Sequence, residues 1–135
     1  MNLRLVLSAA LVCGLLACEA TGAAARGETF DGRTSQGHKI KIRKQGDRAI
    51  RLVRFNADLN CRDGTALLLQ ESGFLWTKLG RDGRFKDVQY GPTDTVRFRG
   101  RATKRRINGR VRLEDRLGKK RVRCTSRWIR FNATR

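Results

Sequence analysis

The chain has 135 residues, with 31 Lys and Arg against 12 Asp and Glu, a net charge of +19, one His, one Pro and four Cys. That length holds about one small domain. A single histidine excludes a histidine-rich metal site, and the cationic excess turns the search for partners toward anions.

Residues 1–17 carry one early positive charge at Arg4 and then an apolar run, Leu5 to Ala17. The run is too short to span a bilayer and has the size of a signal-peptide core. Residues 1–25 are therefore expected to be a signal peptide, with a signal helix and a short tether reaching to about residue 29, and residues 26–135 a single basic β domain. Two processing routes fit. Leu15-Leu16-Ala17-Cys18 resembles a bacterial lipobox, which would make Cys18 a lipid attachment site and the lipid the only membrane contact. Ala20, Ala23 and Ala25 fit ordinary signal-peptidase cleavage equally well. Either route exports the protein, giving a secreted, periplasmic or cell-envelope-associated location. Positive charge concentrates late in the chain: residues 26–94 hold fourteen basic and nine acidic side chains, residues 95–135 sixteen and two.

From Gly37 onward, apolar residues recur with a period of two. Lys39 to Arg43 alternates, Gln45-Gly46-Asp47 reads as a turn, and Ile50 and Leu52 are expected opposite Ile42 and Ile40. The phase then slips, since Val53, Phe55, Ala57, Leu59 and Cys61 are odd-numbered, which predicts a β-bulge near Leu52-Val53. Arg62-Asp63-Gly64 turns the chain back, with Leu67 and Leu69 opposite Leu59 and Ala57. Glu71 to Gly80 resists this reading, because Phe74, Leu75 and Trp76 are consecutive: either both sides are covered or the segment leaves the sheet. Arg81-Asp82-Gly83 is a further turn, and Gly91-Pro92 interrupts pairing after Phe85, Val88 and Tyr90.

The last third sets Val96, Phe98, Gly100 and Ala102 on one side of a strand and Arg97, Arg99 and Arg101 on the other. Ile107, Gly109, Val111 and Leu113 then alternate with Asn108, Arg110, Arg112 and Glu114. A turn at Asn108-Gly109 would put Lys104 and Arg106 on the apolar side, so the turn is expected at Lys104-Arg105. A second turn at Leu117-Gly118 would pair Leu113 with Val122, Arg112 with Arg123 and Arg121 with Glu114. A second phase slip at Trp128-Ile129 turns Ile129 and Phe131 inward. The whole predicts an all-β fold, an antiparallel meander of about seven or eight short strands closing into a small barrel or sandwich.

Cys61 and Cys124 are the two cysteines of the folded part, and both fall on the apolar side of their strands. Two cysteines in an exported chain most often pair, so a disulfide is expected.

The series Thr34-Ser35-Gln36-Gly37, Ile40-Lys41-Ile42, Leu59-Asn60-Cys61-Arg62-Asp63-Gly64, Val96-Arg97-Phe98-Arg99-Gly100 and the late Cys124 resembles a loose family of small exported bacterial all-β proteins of uncharacterised function, with a TSQG start, a C-x-DG turn and a late second cysteine. The resemblance covers most of residues 30–131 and implies a fold and an exported location. The arginine density of this chain departs from that family, whose outer positions are more often Ser, Thr and Lys.

No catalytic constellation or cofactor motif emerges, and the chain is expected not to be an enzyme. His38 reads as a solvent-exposed loop histidine, the Asp-Gly pairs at 31, 63 and 82 as turns rather than metal ligands, and Glu71, Asp94, Glu114 and Asp115 as salt-bridge partners. What remains is an arginine face. Arg97, Arg99, Arg101, Arg110, Arg112, Arg123 and Arg127 are the candidate anion-binding residues, since guanidinium groups present paired donors to phosphate, sulfate or carboxylate. The partners expected are anionic polysaccharide, teichoic acid, lipopolysaccharide or extracellular DNA. Base stacking would need interleaved aromatics, and only Trp128 has the register to emerge. Two alternatives stand beside this: a protein-binding or inhibitor-like module using the loop from Gly73 to Gly83, and a cationic face that serves solubility only.

Overall fold

A computed structural model describes residues 27–135. The expected signal segment, with Cys18, lies outside the described residues. Ten antiparallel strands follow: β1 (Glu28–Thr34), β2 (Lys39–Gln45), β3 (Ala49–Cys61), β4 (Ala66–Ser72), β5 (Thr77–Lys78), β6 (Arg84–Tyr90), β7 (Asp94–Ala102), β8 (Arg106–Leu117), β9 (Val122–Thr125) and β10 (Ile129–Thr134). The pairings run β10-β1-β2-β3-β9-β8, and β10 returns to β8, so six strands close a ring. From the far edge of β8 extend β7 and then β6, and on the far edge of β3 lie β4 and β5. The sheet is ring-like but is not a barrel, because β4 and β6 each have one strand neighbour among the described residues.

Two of the ten strands were not expected. β1 starts at Glu28, inside the stretch read as tether, and β5 is a two-residue contact on the edge of β3. Asp31-Gly32 accordingly lies within β1 and is not a turn. At Gly32 the backbone passes so close to β10 that a side chain would overlap the Asn132 carbonyl.

The inward residues are those that alternation selects. Phe30, Ile40, Phe55, Leu59, Ile107 and Leu113 are fully buried, each contributing roughly 1.5–3 kcal/mol over an exposed position. The bulge falls where the phase slip places it, with Leu52 opposite Ile42, Arg54 opposite Lys41 and Val53 unpaired between them. The β7–β8 hairpin also has the expected register, with Ala102 opposite Ile107, Arg99 opposite Arg110 and Arg97 opposite Arg112. Asn108-Gly109 lies inside β8, opposite Arg101 and Gly100. Gly100 and Gly109 face inward as a pair, and a side chain on either would collide with the Phe85 or Phe131 ring that packs across it.

Two registers differ from expectation. The β2–β3 loop is Gly46 to Arg48, so Ile50 meets Lys44 and Phe55 meets Ile40. β8 runs on to Leu117 before turning through residues 118–121, so Leu117 meets Val122, Arg116 meets Arg123 and Glu114 meets Thr125. In both cases the shift is an even number of residues, which leaves every side chain on its assigned face. Cys61 and Cys124 are directly opposite on β3 and β9 and form the disulfide.

Candidate functional site

The cationic surface is built by pairing across β6, β7, β8 and β10. Lys86, Arg99, Arg110 and Arg130 stand opposite one another in one row, and Arg84, Arg101, Asn108 and Asn132 in the next. Neighbouring strands are about 4.8 Å apart, so a row offers cations at roughly that spacing. Between these rows, Phe85, Gly100 and Gly109 point their Cβ side to the core and leave bare backbone outside. The result is a shallow groove of about 740 Å³, walled by Arg84, Lys86, Arg99, Arg101 and Arg110, with Lys78 at one end. Asp82 touches its rim: its carboxylate lies 3.2 Å from Arg84 Nε, and its carbonyl accepts a hydrogen bond from Arg101 Nε at 3.1 Å.

Of the seven arginines singled out from the sequence, three line this groove: Arg99, Arg101 and Arg110. Three others converge on one carboxylate. Arg97 and Arg112 each approach Glu114 Oε1 at 3.2 Å, and Arg123 approaches Oε2 at 2.9 Å. Arg97 and Arg112, which stand directly opposite one another, thus share an anion, and the expected Arg121–Glu114 pair is replaced by these contacts. Arg112 Nε is buried and has no hydrogen-bond partner among the described residues. Arg127 is exposed at the corner between β9 and β10, outside the groove lining. Lys78, Arg84, Lys86 and Arg130 belong to the surface and escaped the sequence reading. Their place depends on which strand lies beside which, and nothing local encodes that.

Trp128 does emerge at the second phase slip. Its ring is covered by the Arg99 guanidinium, 4.7 Å from the ring centroid, which fixes Arg99 at the groove wall.

A second site lies where β4 ends and β6 turns into β7. Residues 73–76 leave the sheet: Phe74 packs inward against Phe55, while Leu75 is 72% and Trp76 41% exposed. Gln89 clamps the loop, accepting from Leu75 N–H at 2.8 Å and donating to Leu75 C=O at 3.1 Å. A cleft of about 590 Å³ opens beside it, edged by Trp76, by Tyr90, which is 77% exposed, and by Glu71, Asp87 and Asp94. Burial pushes the Asp87 carboxyl up, but hydrogen bonds from the Thr77 hydroxyl at 2.6 Å, the Gln89 amide at 3.0 Å and the Val88 N–H at 2.8 Å outweigh it and hold the group below its ordinary range.

The expectation that the carboxylates are salt-bridge partners holds for Glu114 alone. Among the described residues Glu71, Asp94 and Asp115 have no ion pair with Lys or Arg. Asp94 lies directly opposite Asp115. Burial, reinforced by the charges of Asp94 and Asp115, raises the Glu71 carboxyl from 4.5 to about 7. Among the described residues no three His, Cys, Asp or Glu side chains are placed to share a metal ion.

His38 does lie in the loop just before β2, but it is half-buried rather than exposed, with Nε2 2.9 Å from Asp58 Oδ2.

Neither a protein-family model, nor a curated protein, nor a solved structure matches this chain.

Proposed function

We propose that this domain is an exported, non-enzymatic binding module that docks on anionic polymer through the groove across β6, β7 and β8. What carries the reading is that groove itself: six basic side chains line it, and among the described residues no carboxylate does. Guanidinium groups at strand spacing match a polymer with repeated phosphate, sulfate or carboxylate groups. The Trp128 ring is stacked under Arg99, so it gives bases no open platform, which favours acidic polysaccharide, teichoic acid or lipopolysaccharide over extracellular DNA. Export is supported by the Cys61–Cys124 disulfide, which belongs in an oxidising compartment.

The test is retention on anionic polymers of matched charge, against a neutral polymer, across a salt series. Wild type is expected to bind with a steep salt slope and to prefer one polymer. An Arg99→Glu/Arg110→Glu variant should lose at least about tenfold in affinity, as two charge-assisted contacts become repulsive. Weak, uniform retention that vanishes near physiological salt, or a variant that binds like wild type, would leave the face as a solvated surface only. A second reading, a protein-binding module at the 73–83 loop, is favoured by the exposure of Leu75, Trp76 and Tyr90 around one cleft. It takes over if the groove variant is silent and Trp76→Ala alone abolishes capture of a partner.

A further inference from the structure

The end of the molecule that carries the disulfide holds a second concentration of arginine, sharing no residue with the groove. Arg116 on β8 stands directly opposite Arg123 on β9. The chain joining them turns through Gly118 and Arg121, and Arg121 has a positive φ of 49°. Arg62, the residue after Cys61, donates its N–H to the Arg123 carbonyl at 3.0 Å, which extends the β3–β9 pairing by one step. These connections gather Arg62, Arg116, Arg121 and Arg123 around one pocket of about 460 Å³. Asp63 is the one carboxylate in its lining, and it is engaged in its own turn, accepting from Thr65 N–H at 3.0 Å. Arg123 also reaches Glu114, whereas Arg62, Arg116 and Arg121 have no ion pair among the described residues.

Turn chemistry alone does not account for this arrangement. A left-handed backbone favours glycine or asparagine, so the arginine at residue 121 carries local strain. Four cations on flexible stems would also separate if their backbones were free to move. Here the disulfide pins β3 to β9, which holds Arg62, just past the end of β3, beside Arg123 on β9. We propose that this pocket binds a compact tetrahedral oxyanion, as found at the end of a phosphate or sulfate monoester, with Arg62, Arg116, Arg121 and Arg123 as its donors. Guanidinium forks satisfy such a group from several directions at once, and a pre-positioned set loses little freedom on binding. The pocket is smaller than the groove, about 460 against about 740 Å³, and gathers its donors around one point, which suits a single doubly charged group rather than an extended polymer.

The probe is inorganic phosphate, titrated into the full-length, disulfide-intact chain at fixed ionic strength and followed by amide chemical shifts, with sulfate and chloride in parallel. Saturable binding is expected, with shifts centred on residues 62, 116, 121 and 123 and none of this kind with chloride. Tighter phosphate binding would identify a phosphomonoester source and tighter sulfate binding a sulfate ester, and both support the pocket. Arg116→Ala should weaken binding about tenfold. Arg121→Gly should weaken it similarly while the melting temperature stays equal or rises, because glycine relieves the positive φ. An Arg99→Ala/Arg110→Ala variant should retain phosphate binding, so failure of the polymer groove and failure of this pocket are distinguishable. Shifts spread over all the cationic strands without saturation, or wild-type affinity in both Arg116→Ala and Arg121→Gly, would overturn the proposal.

Discussion

The outer face of β6, β7 and β8 and the cleft at the end of β4 carry opposite charge and handle it by opposite means. On the face, cations stand opposite cations, Lys86 with Arg99 and Arg99 with Arg110, on long, exposed side chains, with Arg99 lying over Trp128. Each such pair costs a few tenths of a kcal/mol to about 1. At the cleft, Asp94 on the wall stands opposite Asp115, which is buried outside the lining, and Glu71 on the wall is close enough to feel both. Repulsion there is stronger because less water screens it, and it is relieved by holding a proton on Glu71. Like charge on an extended, solvated strand is thus nearly free to be used for binding, while like charge in a cleft becomes a coupling to pH.

The two regions are joined twice: directly through β6 and β7, where Gln89 holds the cleft loop, and again at the junction of β3 and β9. β3 carries β4 and the cleft loop, β9 leads to β8 and the cationic strands, and the pairing across is short: Asn60–Thr125, Cys61–Cys124 and the bond from Arg62 N–H to the Arg123 carbonyl. The disulfide closes a sequence separation of 63 residues. A Cys61→Ala/Cys124→Ala variant should lose about 4 kcal/mol of unfolding free energy, the largest effect expected from any change considered, read from urea denaturation. A loss below about 1 kcal/mol would mean that core packing holds the ring shut without the bond.

That junction also marks how far sequence could lead. The face of each residue was legible in the last third and in β2 to β4, because a period of two with one buried side leaves little choice: Val96, Phe98, Gly100 and Ala102 lie inward as alternation requires, and the even-to-odd slips at Val53 and Trp128 are real. Register was not always legible. A turn moved by two residues at Gly46, or four at Gly118, keeps every side chain on its side, so hydrophobic pattern cannot tell these registers apart. Strand neighbours were least legible of all. Nothing in Arg84-Phe85-Lys86 says that it lies against Gly100, and nothing in Glu28 to Thr34 says that it completes a ring. The candidate face was therefore half visible: Arg99, Arg101 and Arg110 were found by alternation, while Lys78, Arg84, Lys86 and Arg130 needed the topology. The cleft was missed because Glu71, Asp94 and Asp115 come from three strands and were each assigned a partner on composition.

Glu114 is where the cationic face borrows the cleft's device in reverse. Its carboxylate serves Arg97, Arg112 and Arg123 together, the last reaching across to it despite pairing with Arg116 in register. Glu114→Gln leaves three guanidinium groups without their anion, one of them with a buried unpartnered Nε. Stability should fall by about 1–3 kcal/mol. Retention on anionic polymer should move the other way and persist to higher salt, since the face gains a net charge. A variant that loses stability with no gain in retention would show that these three arginines only hold the strands together and take no part in binding.

The smallest effect, and the one that most directly tests the contrast between the two regions, belongs to Glu71. Its carboxyl titrates near 7 in the folded chain against 4.5 as the ordinary value, so the folded state binds the proton more tightly than the unfolded state. Stability is therefore greatest below about pH 4.5, declines as pH rises from there to about 7, and is flat above, as far as this group is concerned. Because the side chain is half solvated, the decline should amount to about 1 kcal/mol or less. Glu71→Gln keeps the shape, removes the charge, and should flatten that limb of the stability profile while raising the melting temperature at pH 8. No cationic residue of the outer face should reproduce this: Arg99→Gln should leave the slope between pH 4.5 and 7 as it is. An unchanged slope in Glu71→Gln would mean that Asp94 and Asp115 do not crowd Glu71 in solution, and the cleft would then carry its charge as loosely as the face does.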